Sequence, residues 1–170
     1  MRALIALAVL LTLAAAPRPA AAADGPTIAL SSPAFAAGGP IPPRYSAEGG
    51  NHSPPLAWSP VAGAKAYALI LRDPDAPSGT FTHWLVWNIP GAAAGLPEDG
   101  IAGMTAGIND GRSVGYFGPM PPYGLHHYHF QLFALDAPLA LPSGADLSQL
   151  NAAIKGHVLA RGELVGTFRK

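Results

Sequence analysis

A mainly β fold is the expectation for this chain, and three observations predict it. Three runs rich in β-branched and aromatic residues, 66–72, 83–89 and 127–135, each stop at a proline-bearing segment. The chain holds 19 prolines and 20 glycines in 170 residues, which multiplies turns and leaves little room for long helices. Only one segment carries a helical apolar stripe.

Residues 1–23 are read as a leader rather than as part of the fold. Met1-Arg2 opens with a positive charge, 3–16 is apolar apart from Thr12, and small residues end at Ala23 before Asp24. That is a signal-peptide pattern, with cleavage expected after Ala23. The apolar run is shorter than the roughly 20 residues a membrane span needs, so no stable membrane anchor is expected after cleavage. Residues 24–170 are expected to form a single domain, exported and periplasmic.

The leader takes Arg2 and Arg18 with it and no acid, so the remainder carries two more acids than bases. With no basic stripe, nucleic acid is not the expected partner. There is no cysteine. Thiol catalysis, cysteine-zinc sites and iron–sulfur clusters are thereby excluded, and stability must come from burial.

The elements follow in order. Residues 31–60 form a turn-rich lead-in with Gly38-Gly39-Pro40, Pro42-Pro43, Gly49-Gly50 and Pro54-Pro55, where proline removes ladder donors. A short strand is expected at Leu56, Ala57 and Trp58. Residues 66–72 are a strand stopped by Asp73-Pro74-Asp75-Ala76-Pro77. Residues 83–89 are a second strand, stopped by Pro90. Residues 91–122 read as mostly loop. Residues 127–135 are a third strand. Leu147, Leu150, Ile154 and Val158 then make one apolar helical stripe, Asp146 with Gln149 resembles a capping box, and Gly162 is expected to mark the helix end. A last strand is expected at 164–168.

Polar residues collect at the strand ends. Asp73 and Asp75 follow one strand, His83 begins the next, and His126 and Tyr128 begin the third. If these strands are neighbours, imidazoles and a tyrosyl hydroxyl meet at one rim of the sheet. There they can donate to an anion, while the carboxylates orient the histidines. Gly115-Tyr116-Phe117-Gly118-Pro119-Met120-Pro121-Pro122 offers close backbone approach and a stiff wall. One or more of its X-Pro bonds could be cis.

Five segments in order resemble the phosphatidylethanolamine-binding protein (PEBP) family, in its bacterial Raf-kinase-inhibitor-like branch. They are Asn51-His52-Ser53-Pro54-Pro55-Leu56-Ala57-Trp58, Asp73-Pro74-Asp75-Ala76-Pro77, His83-Trp84 through Asn88-Ile89-Pro90, the Gly115 to Pro122 loop, and His126-His127-Tyr128. The resemblance implies a large central antiparallel sheet, a smaller sheet and peripheral helices. It implies a pocket for phosphate or phosphorylated headgroups, lined by Asp73 and His83, with Gly118 beside it and His126 and Tyr128 closing it. Phe81 and Tyr116 would flank the opening, and Asp75 belongs to the motif. The family commonly has arginine between the histidine and the tyrosine. Here that residue is His127, which removes a permanent charge and makes anion affinity weaker or more dependent on pH.

Sharper chemistries compete with this pocket. Gly111-Arg112-Ser113-Val114-Gly115 matches the nucleophile-elbow pattern, but the glycines and prolines after it leave no helix for an elbow. His126, His127 and His129 are dense enough to suggest zinc or copper, yet no third ligand is fixed and no metal is expected. Asp73 and Asp75, one proline apart, are expected to diverge rather than form a carboxylate pair. Asn51-His52-Ser53 fits a glycosylation sequon but is read as a structural turn. The expectation is a binding protein, not an enzyme, with no cofactor. Its ligand would be a small phosphorylated molecule or phospholipid headgroup. The alternative is an extracytoplasmic regulator of an unknown protein partner, such as a protease or kinase-type enzyme.

Overall fold

The computed structural model describes residues 26–170, so the expected leader at 1–23 lies outside the described residues. The fold is mainly β, as predicted. Strands β1 (Leu56–Ala57), β2 (Ala66–Asp73), β3 (Phe81–Pro90), β4 (Gly95–Leu96), β5 (Thr105–Ala106), β6 (Leu125–Leu135) and β7 (Val158–Arg169) are joined by helix α1 (Leu147–Ile154) and a 3-10 turn at Pro43–Tyr45. Five strands form one antiparallel sheet in the order β5-β3-β2-β6-β7, while β1 and β4 pair separately. The short strands β4 and β5 fall inside the stretch expected to be loop; two residues each are too few to leave a periodic signal.

β2 is the centre of the sheet and is buried on both faces, which explains its unbroken apolar sequence. On one face Tyr67, Leu69 and Leu71 join Trp84, Val86 and Phe130 beneath the lead-in and the small sheet. On the other, Ala68 and Ile70 join Leu85, Trp87, Leu150 and Ile154 beneath α1. The lead-in runs beside β7. Ile28 N donates to Arg161 O at 2.7 Å, Gly38 N to Val165 O at 2.7 Å, and Ile41 N to Thr167 O at 2.7 Å.

The helix starts as predicted. Gln149 N donates to Asp146 Oδ1 at 2.8 Å and Asp146 N donates to Gln149 Oε1 at 2.9 Å, a reciprocal capping box. It ends sooner than the stripe suggests. Gly156 takes φ 86°, and Val158 already pairs with Leu135 in the sheet. Gly162 is therefore not a helix stop. It lies inside β7 opposite Leu132, where a Cβ would sit 2.4 Å from Ile28 O. None of the described peptide bonds is cis.

Two irregularities interrupt the pairing of β3 with β2. Tyr67 pairs with Ile89 but Leu69 with Val86, so one residue of β3 is surplus; there Asn88 adopts φ 58° and clasps the backbone of Leu139. Further along, Leu71 pairs with Trp84 and Arg72 with Thr82, which leaves His83 as the extra residue of a bulge.

Candidate functional site

The ends of three neighbouring strands build the site. β2 ends at Asp73, β3 begins at Phe81, and β6 begins at Leu125; in antiparallel pairing these ends share one rim. Two-residue periodicity puts Asp73 on the face of Leu71, and His126 and Tyr128 on the face of Phe130. His83 would alternate away from that face in a regular strand. The bulge re-aims it, so that its ring meets Tyr128 edge-on at 5.2 Å.

Each imidazole is anchored through Nδ1. His126 Nδ1 lies 2.7 Å from Asp73 Oδ2, with both side chains about 95 % buried. The other oxygen of Asp73 accepts from Asp75 N at 2.8 Å and locks the Asp73-Pro74-Asp75 turn. His83 Nδ1 lies 2.8 Å from Phe117 O; a carbonyl only accepts, so Nδ1 carries the hydrogen. Phe117 N returns a bond to His83 O at 3.0 Å. In the neutral ring, Nε2 of His83 is then the lone-pair nitrogen, and neither Nε2 has a partner among the described residues. Burial pulls the ionisation of His83 below the ordinary histidine range, against the opposing pull of Phe117 O and Asp73.

A cavity of about 300 Å³ opens between these groups. The β2–β3 connection contributes Asp73, Ala76, Pro77 and Ser78, and β3 contributes Phe81 and His83. The loop after β5 adds Gly111, Phe117, Met120, Pro121 and Pro122, and β6 adds His126. Apart from the imidazoles, Asp73 and Ser78, the walls are apolar. A second hollow of about 340 Å³ lies along β7, lined by Phe133, Leu159 and Arg161; it contains no histidine and shares no residue with the strand-end cavity.

Four of the eight residues singled out from the sequence line the cavity: Asp73, His83, His126 and Phe81. Tyr128 lies behind His83, fully buried, and its hydroxyl has no hydrogen-bond partner among the described residues. Burial and the nearby Asp73 charge raise its ionisation far above the ordinary tyrosine range. Gly118 is not part of the cavity lining, although its backbone lies against His83. Its missing side chain admits the backbone of the lead-in, where a Cβ would sit 2.3 Å from Tyr45 O. Tyr116 packs edge-on against Trp84 at 5.4 Å and donates its hydroxyl to Tyr45 O at 2.8 Å. Asp75 faces outward and accepts from both N (2.9 Å) and Nδ1 (2.7 Å) of His127.

Two positioning residues escape the sequence reading of the site. Asn51, in the left-handed region at φ 58°, accepts from Gly118 N at 2.8 Å and donates to Tyr116 O at 3.2 Å, so it clamps the cavity loop to the lead-in. The Gly49-Gly50-Asn51 run was the available signal, because asparagine tolerates that backbone region. Asp110 accepts from Thr82 N at 2.6 Å and holds the same loop against β3.

Among the described residues, the groups that suggested sharper chemistries have the following partners. Ser113 is bonded to Asn109 within an exposed hairpin bridged at Ile108 and Val114, not a strand-to-helix elbow. His126, His127 and His129 each face a different carboxylate, respectively Asp73, Asp75 and Glu163. Among the described residues, His52, Glu98 and Asp99 are close enough to share an ion. There, however, His52 already pairs with Asp99 at 2.6 Å, and Glu98 pairs with Arg44.

Fold and site together define a mainly β domain with an imidazole-lined cavity at a strand-end rim. The family model described as phosphatidylethanolamine-binding protein matches residues 31–169. The chain belongs to that family.

A UPF0098 protein of Methanothermobacter thermautotrophicus is 46% identical over 148 residues, covering 83% of this chain and 98% of that one. LppC of Mycobacterium tuberculosis, which its name describes as a lipoprotein, is 46% identical over 153 residues, covering 88% of this chain and 75% of that one. Among solved structures, a PEBP homologue of Chlamydia trachomatis superposes with TM-score 0.81 at 38% identity, covering 85% of this chain and 98% of that one. YbcL of Escherichia coli, a member of the mammalian PEBP family, superposes with TM-score 0.78 at 29% identity, covering 84% and 98%.

Proposed function

We propose that this protein is a non-enzymatic binding protein that holds a phosphate or phosphorylated headgroup, such as that of phosphatidylethanolamine, between His83 and His126. The observation that carries this reading is the pair of imidazoles, each anchored through Nδ1, on one cavity of about 300 Å³. Anchored rings lose little freedom on binding. Tyr128 completes the back of the site, Asp73 fixes the ring of His126 and limits affinity by its charge, and the prolines stiffen the wall. A single anion held by a few such bonds supports a Kd in the range of roughly millimolar to micromolar.

The protein is proposed to work outside the cytoplasm, in the periplasm, after loss of residues 1–23. The leader pattern and the lipoprotein name of a relative support export. No helix among the described residues is long and apolar enough to cross a membrane.

Calorimetry with phosphate, phosphoethanolamine and short-chain phospholipid tests the pocket. Binding should be lost in His83→Ala and His126→Ala and kept in His129→Ala. A folded protein that gives no heat with any of the three would rule the reading out. A second reading is a regulator that docks on a protein partner. It is favoured by Met120, Tyr123 and Leu125, three apolar residues exposed in and just after the cavity loop. Affinity capture from a periplasmic extract separates the two.

A further inference from the structure

We propose that the cavity takes up a proton together with its anion, at Nε2 of His83, so that affinity for phosphate esters falls as pH rises. This rests on the anion-pocket reading above and names its regulation.

Charge accounting carries the proposal. The cavity lining contains three side chains that can carry charge in the physiological range, Asp73, His83 and His126, and neither lysine nor arginine. With His126 protonated, the Asp73–His126 pair is neutral overall; with His126 neutral, the site is negative. In neither state does an arriving anion meet an uncompensated cation. Burying an unpaired charge in such a site is strongly unfavourable, so a proton accompanies it.

Hydrogen-bond accounting places that proton. The hydrogen on Nδ1 of His83 is spent on Phe117 O. Neutral His83 therefore offers the cavity a lone pair at Nε2, which repels a phosphate oxygen. One added proton turns the same atom into a charged donor. The surroundings of His83 are consistent with this. Asp73 on β2 and Asp110 on the loop after β5 favour the cation, while Tyr128 on β6 and Phe117 on the loop are uncharged. His126 on β6 is already matched to Asp73. Arg72, next along β2, belongs to the opposite face, in register with His129. Because burial keeps empty-site His83 neutral, the proton comes from solvent when the anion binds. Phe81, Phe117, Met120 and Pro121 would take the carbon of the ester, which favours organic phosphates over inorganic phosphate.

The test uses dimethyl phosphate, a monoanion that does not titrate near neutrality, so any proton taken up goes onto the protein. Calorimetry in two buffers of different ionisation enthalpy counts the protons. At about pH 8 about one proton should be bound per ligand, and Kd should rise about tenfold per pH unit above neutrality. Equal observed heats in the two buffers, with an unchanged Kd between about pH 6 and pH 8, would overturn the proposal and leave the anion pocket standing. Absence of binding at about pH 6 overturns the pocket itself, and this proposal with it. His83→Gln, whose amide donates without charge, should bind far more weakly and with no proton uptake; undiminished affinity or undiminished uptake in that variant places the proton elsewhere and overturns the assignment. Should that variant not fold, the ring resonances of His83 in the wild-type protein decide. They must shift to the imidazolium position on adding dimethyl phosphate, and a ring that stays neutral overturns it.

Discussion

The imidazole of His126 and the carboxylate of Asp73 meet at 2.7 Å with both side chains almost wholly removed from solvent. Asp73 also holds the backbone of Asp75, so one carboxylate joins the end of β2, the turn that walls the cavity, and the start of β6. Removing one partner of a buried pair typically costs about 3 to 5 kcal/mol. Asp73→Ala is expected to lose that much in a denaturant titration. A loss below about 1 kcal/mol would mean that the pair contributes little beyond an exposed contact.

Gly118→Ala is expected to destabilise the protein by about 1 to 3 kcal/mol, because the added methyl would collide with backbone rather than with a movable side chain. The cavity loop would shift with it. A lower Tm together with weaker anion binding is the expected outcome; unchanged melting would show that the lead-in moves aside freely.

Asn51→Ala removes the two bonds that clamp Tyr116 and Gly118. A loss of about 1 to 2 kcal/mol is expected, along with faster amide exchange in the cavity loop. Asn51→Gly, which keeps the left-handed backbone but not the clamp, should show the exchange effect with less backbone strain.

The empty protein should lose stability as pH falls below about 6.5. His83 is held neutral by burial, so its folded ionisation lies below its unfolded one, and the unfolded chain binds the extra proton first. The stability is thus fully present above the unfolded value and declines as pH drops toward the folded one. His83→Gln should flatten this part of the pH–Tm curve. An anion that binds with a proton should restore stability in the wild type over the same range.

Asp75 behaves differently. Hydrogen bonds from His127 hold its ionisation below the ordinary carboxylate range. The corresponding stability is present above the unfolded value and is lost as pH falls through the lower folded one. Because the pair is exposed, the effect should be small and reduced by salt. His127→Arg should keep it, and His127→Ala should reduce it to the part that the backbone N–H of residue 127 supplies. Acid titration of the three proteins by NMR at Asp75 is the check.

Three of the four long strands, β2, β3 and β6, and their shared rim were legible because apolar runs, proline stops and motif order all agreed, whereas only the second half of β7 was. The capping box of α1 was legible for the same reason, from Asp146 and Gln149 alone. The end of α1 was not. Val158 continues the helical stripe, and only its partner Leu135 decides that it belongs to the sheet. The orientation of His83 was hidden too, since it depends on a single surplus residue opposite the step from Leu71 to Arg72. Gly118 and Tyr116 were placed near the cavity by motif, yet both serve contacts with the lead-in. Contacts between segments some seventy residues apart, such as Tyr116 with Tyr45, leave no local pattern to read.

The lead-in that crosses β7 at Ile28, Gly38 and Ile41 has a consequence for the protein in crowded surroundings. A bare strand at a sheet border is a template on which another chain can extend the ladder. Here the backbone groups of Arg161, Val165 and Thr167 are already taken by the protein's own proline-rich segment, and the opposite border, β5, is two residues long. A polypeptide without disulfides thereby resists strand-by-strand polymerisation at both borders of its large sheet.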